Sequence, residues 1–70
     1  MTIKKEYVCV YYSYMFKEYE SFSETDVWAF IRIVKGIRNN NDCRITELFK
    51  VITNIDESGK MQYEKERLHI

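Results

Sequence analysis

Hydrophobic residues along this chain fall into three patterns, and each predicts a different element. Between residues 6 and 16 the run Glu-Tyr-Val-Cys-Val-Tyr-Tyr-Ser-Tyr-Met-Phe is dense in β-branched and aromatic side chains. Such side chains pack well on a pleated surface and lose rotamer freedom in a helix, so this segment reads as a strand. Residues 17 to 22 either extend that strand or fold back as one of their own, because no Gly or Asn-Gly pair marks a tight hairpin between them.

The period then changes. Val27, Phe30, Ile31, Val34 and Ile37 recur at steps of three and four, the stripe of an amphipathic helix running to about Arg38. Ser23, Glu24, Thr25 and Asp26 precede it with the signals of a helix start: a serine oxygen to accept an early backbone N–H, and acids for the positive end of the dipole. Arg38 and Asn39 to Asn41 supply the cation and turn-tolerant residues of a helix end. Residues 43 to 53 alternate instead, with Cys43, Ile45, Phe49 and Val51 on one side and Arg44, Thr46, Leu48, Lys50 and Ile52 on the other. Glu47 interrupts the first side, which implies a bulge, an edge position or a shifted register. Asp56-Glu57-Ser58-Gly59-Lys60 has turn chemistry, and residues 61 to about 67 return as a polar strand.

The expected order is β-α-β-β, or β-β-α-β-β if residues 17 to 22 form a strand. Either gives a single α+β domain over residues 1–70, with one amphipathic helix packed on a three- or four-stranded mixed or antiparallel sheet. A right-handed crossover through the helix and a final antiparallel hairpin are expected. One helix covers one sheet face, so the other should be polar in a self-sufficient monomer. It is not polar in either register. If Val8, Val10, Tyr12 and Tyr14 point at the helix, then Tyr7, Cys9, Tyr11 and Met15 point away, joined by Leu48 and Ile52 from the second strand.

Tyr7, Tyr11, Met15, Leu48 and Ile52 are therefore candidates for an interface, either in a homodimer or higher homo-oligomer or with a partner protein. Trp28 is another, because it falls off the centre of the helical stripe, beside Arg32 and Lys35. The plainer reading is that amphipathic tyrosines tolerate solvent and that Trp28 is covered by residues 17 to 22 or by the last strand.

Composition narrows the setting. Seventy residues leave a small core and marginal stability, while 46% hydrophobic and 16% aromatic content is too apolar for a disordered tail. Eleven Lys and Arg balance eleven Asp and Glu, so no global field draws in nucleic acid or an anionic membrane. The absence of proline and the abundance of Ile, Lys, Asn, Tyr and Phe follow AT-rich codons, which suggests a low-GC bacterium or one of its phages or mobile elements. Residues 1 to 6 are charged and no apolar run reaches the length of a membrane span, so a cytoplasmic setting without a membrane partner is expected. Cys9 and Cys43 show no CxxC spacing and are expected to be reduced.

No group of residues has the form of a catalytic site. The one histidine, His69, is next to last, Gly36 and Gly59 are isolated from any phosphate-binding pattern, and the cysteines lack zinc-site spacing. A non-enzymatic protein without metal or cofactor is expected. Glu18, Glu20, Glu24 and Asp26 are accounted for by the helix dipole. The lead expectation is a small phage- or mobile-element-encoded interaction protein that binds and inhibits a host protein, for example a defence factor, stoichiometrically. The alternatives are a structural or assembly subunit, and a nucleotide or nucleic-acid binder. The latter would use Arg32, Lys35 and Arg38, with Arg44 and Lys50, for phosphates and Trp28, Tyr7 and Tyr11 for stacking. No RNA-recognition signature or helix-turn-helix pair accompanies these residues.

Overall fold

Strand-forming side chains continue past the first run, and the hairpin left open in the sequence is made. The computed structural model describes residues 2–70 as β1 (Thr2–Ser13), β2 (Glu18–Glu24), α1 (Val27–Arg38), β3 (Cys43–Ile55) and β4 (Met61–Arg67). The sheet order is β2-β1-β3-β4 and every neighbouring pair is antiparallel. β1 runs antiparallel to both β2 and β3, so those two share a direction and the connection through α1 passes over β1. Of the two expected orders, β-β-α-β-β is the one formed, without parallel neighbours.

The β1–β2 turn needs no glycine because Lys17 itself adopts a left-handed conformation, with φ of 54°. Ser13 pins it. Its buried hydroxyl accepts from the Phe16 N–H at 3.3 Å and donates to Asp42 Oδ2 at 3.3 Å, while the Tyr14 N–H donates to the Asp42 carbonyl at 2.8 Å. The hairpin tip is thereby tied to the loop after the helix. At the other end, β2 runs through Ser23, so the helix cap falls later than expected. Asp26 is the cap, its Oδ1 accepting from the Trp28 N–H at 3.0 Å, and Glu24 Oε1 accepts from the Thr25 N–H at 3.0 Å.

The register decides which face of β1 is covered. Cys9 stands opposite Phe22 and Leu48, and Tyr7, Cys9 and Tyr11 point at α1. This reverses the arrangement in which Tyr7, Tyr11, Leu48 and Ile52 were the uncovered set. Cys9, Leu48, Phe30 and Val34 are the buried core, with Tyr7, Tyr11, Phe22, Ile37, Ile45 and Leu68 packed against it, and Ile52 lies on the same sheet face. A physical reason is available: Phe30 is the largest fully buried side chain, and the rings of Tyr7 and Phe22 each lie 5.6 Å from it by centroid.

The irregularity at Glu47 is a bulge. Val10 pairs with Glu47 and Tyr11 with Ile45, leaving Thr46 unopposed, with its hydroxyl donating to the Val10 carbonyl at 3.1 Å. The extra residue returns Ile45 and Leu48 to one face despite their odd separation. Beyond the helix, β1, β3 and β4 continue as a ribbon, and the molecule measures 46 × 24 × 15 Å. All of β4 is exposed; its closing turn is held by Asp56 Oδ1, which accepts from the Ser58 and Lys60 N–H groups at 3.0 and 2.8 Å, with Gly59 at φ of 84°.

Candidate functional site

Three surfaces carry side chains that the fold does not use. The first is the tip of the β1–β2 hairpin. Tyr14, Met15, Phe16 and Tyr19 all project there, with Met15 74% and Phe16 65% exposed. Turn tips are ordinarily polar or glycine-rich, because a large apolar side chain gains nothing there from the core. Met15 was an interface candidate from sequence; Phe16 and Tyr19 were missed. Their signal lay in the turn itself, where four residues without Gly, Asn or Asp connect two strands.

The second surface is the row Tyr19–Tyr12–Arg44, which crosses β2, β1 and β3 on the face opposite the helix. Tyr12 is held edge-on by Tyr19 and Tyr14, with ring centroids at 5.0 and 5.3 Å. Further along this face lie Val8, Val10, Phe49 and Val51, all half-buried. Phe49 is roofed by the Lys65 ammonium, 4.1 Å from its ring centroid. The chain's own long side chains thus shield part of the open face, and it asks for less cover than a sheet bearing Tyr7, Tyr11 and Leu48 there would.

The third surface is the outer side of α1. Trp28 is 72% exposed, and Arg32 and Lys35, four and seven residues on, share its stripe. The helix carries Arg32, Lys35 and Arg38 and no acid. Among the described residues the ion pairs are Lys4–Glu6 and Lys50–Glu66, which leave these three cations unengaged. Neither the 17–22 segment nor the last strand covers Trp28. Arg38 diverges from the other two cations and borders a depression shared with Tyr14 and Arg44, whereas Tyr7 and Tyr11, the stacking candidates, lie under the helix.

Titratable groups follow this layout. Burial pushes the Cys9 thiol up to about 11, with Arg38 opposing weakly. Tyr11 is raised, first by its hydrogen bond to Glu20. Cys43 is half-buried at the start of β3, and both cysteines are free. Among the described residues no three of His, Cys, Asp or Glu converge as metal ligands, and no helix is long and apolar enough to cross a membrane.

Comparison of the chain with protein-family models, curated proteins and solved structures finds no match.

Proposed function

We propose that this chain is a small non-enzymatic binding protein, phage- or mobile-element-encoded, that occupies a host protein one to one and inhibits it. The observation that carries this reading is the Tyr14-Met15-Phe16 tip: large apolar side chains held out at one end of an elongated molecule, fixed by Ser13 and Lys17, and contributing nothing to the core. A rigid apolar knob of this kind suits a concave apolar pocket on a folded partner. Burying Met15 and Phe16 there is worth about 1.5–3 kcal/mol each, enough to make them the anchors of an interface.

Trp28 with Arg32 and Lys35 gives a second contact surface whose unpaired cations favour an acidic partner region, steering association more than tightening it. The AT-rich coding pattern supports a bacterial or phage setting. The test is affinity capture from a low-GC bacterial lysate with wild type and Met15→Ser/Phe16→Ser, followed by titration of the captured protein's activity. Full inhibition at one equivalent, lost in the variant, is the expected result; inhibition by a small fraction of an equivalent would mean that the chain turns over a substrate and would defeat the proposal.

A further inference from the structure

Alternation along the strands sorts the charges of this chain by face. On the side away from α1, β4 presents Tyr63, Lys65 and Arg67, and on the helix side Gln62, Glu64 and Glu66. β2 is sorted in the same way: Tyr19, Ser21 and Ser23 lie on the open face, while Glu18, Glu20 and Glu24 share the side of Tyr7 and Tyr11. Arg44 adds a cation to the open face beside Tyr12. A net charge of zero for the whole chain therefore conceals an open face that is aromatic and basic. From this juxtaposition we infer that the open sheet face binds single-stranded nucleic acid, with bases on Tyr19 and Tyr63 and phosphates on Arg44, Lys65 and Arg67.

Each side chain has the exposure its role requires. Tyr19 and Tyr63 are 69% and 65% exposed, and Tyr12 holds Tyr19 edge-on. Bases stack on such rings whatever the sequence. A depression of about 400 Å³ beside Tyr19 has Arg44 in its wall, and a second, of about 190 Å³, is bounded by Phe49, Lys65 and Arg67. By strand rise and spacing the diagonal from Tyr19 to Tyr63 is about 30 Å, room for several nucleotides. Among the described residues Arg44, Lys65 and Arg67 take part in no ion pair, and Lys65 keeps its ammonium donors while lying over the Phe49 ring. The strand acids of this face are Glu6, which Lys4 engages at 3.0 Å, and Glu47, on the rim of the smaller depression. The excess of positive charge complements a phosphate backbone and counts against a second copy, because two such faces would repel. Only Arg44 is shared with the nucleic-acid set expected from sequence, and the inference does not depend on the protein-partner reading.

The probe is a fluorescein-labelled oligothymidylate of about ten nucleotides, within the usual span of such surfaces, followed by anisotropy. Binding should saturate in roughly 50 mM salt and weaken about twentyfold by roughly 200 mM, the slope for three phosphates on a single strand. Tyr19→Ser and Tyr63→Ser, both at exposed positions and checked for folding by circular dichroism, should each weaken it about fivefold or more. Arg67→Gln should also weaken it and cut the salt effect to about sevenfold, the slope for two phosphates. Glu47→Gln, which removes a carboxylate from the face, should tighten binding. Lys5→Gln, the same loss of charge on the helix side, should leave it unchanged.

Tighter displacement by unlabelled oligouridylate than by oligothymidylate would assign the face to RNA, the reverse to DNA, and equal displacement to single strands of both kinds; each supports the site. Absence of saturable binding overturns it, as does binding that Tyr19→Ser and Tyr63→Ser leave intact or that duplex DNA displaces equally well. A dimer in light scattering with no oligonucleotide binding would give the face to a second copy and overturn the inference. Capture of a protein partner through Met15 and Phe16 without oligonucleotide binding would refute this site and leave the other reading standing.

Discussion

Phe30 and Trp28 lie two positions apart on α1 and face opposite ways, Phe30 fully buried against Cys9 and Leu48 and Trp28 72% exposed. Their substitutions should therefore separate folding from binding. Phe30→Ala removes the centre of the core, at a cost of about 3–5 kcal/mol. A domain this small holds only about 4–10 kcal/mol in total, so the variant should lose a large share of its stability and melt well below wild type by circular dichroism. Trp28→Ser should stay within about 0.5 kcal/mol of wild type in a thermal melt.

The same two residues show what the sequence makes legible. The helical stripe put Phe30 inward and Trp28 off its centre, because a period of 3.6 fixes directions within one element, but whether another segment covers Trp28 is decided only by the fold, which leaves it exposed. The faces of the first strand could not be fixed that way, since Tyr7, Cys9 and Tyr11 alternate with Val8, Val10 and Tyr12 and both sets are apolar. Only the tertiary contact with Phe30 and Phe22 selects the odd-numbered set. The bulge was foreshadowed by Glu47, while the β1–β2 hairpin was obscured because its left-handed residue is a lysine. The Tyr19–Tyr12–Arg44 row was invisible for a related reason: it is assembled from three strands whose pairing the sequence leaves open.

Lys17 carries a conformational cost that a glycine would not. Lys17→Gly should raise stability by up to about 1 kcal/mol, or roughly 4–8 °C in melting temperature, by relieving the left-handed strain. Lys17→Val should lower it. Thermal melts at one pH decide the matter; equal melting temperatures for the three proteins would show that the turn readjusts freely.

Cys9 predicts a pH effect with a defined sign. Burial raises its thiol from 9.0 in the unfolded chain to about 11 in the fold. Between those values the unfolded chain releases a proton that the folded chain keeps, so stability falls as pH rises through this window and the effect is absent below it. Measured against Cys9→Ala, the wild-type advantage should shrink from pH 8 toward pH 11. At neutral pH a thiol reagent should modify half-buried Cys43 well before Cys9.

Asp56 secures the β3–β4 turn. Its carboxyl is held below the usual range, first by the Ser58 hydroxyl at 2.6 Å and then by the Lys60 and Ser58 N–H groups. A lowered folded-state value stabilises the turn above the ordinary carboxylate range, and that contribution is lost as pH falls through the folded value. Asp56→Ala should accordingly speed amide exchange across β4, which has no helix above it, while leaving the amides of α1 protected. Uniform acceleration in both would show instead that the ribbon and the helix-covered sheet open as one unit.

In the proposed function the exposed Met15–Phe16 tip seats the chain, one copy per target, on a host protein. The most direct test is the solution mass, by light scattering, of the complex formed with the captured partner. A one-to-one complex is expected with wild type and only separate components with Met15→Ser/Phe16→Ser, both proteins being equally folded. A complex of unchanged mass and affinity with the variant would contradict it, because the binding surface would then lie elsewhere on the molecule.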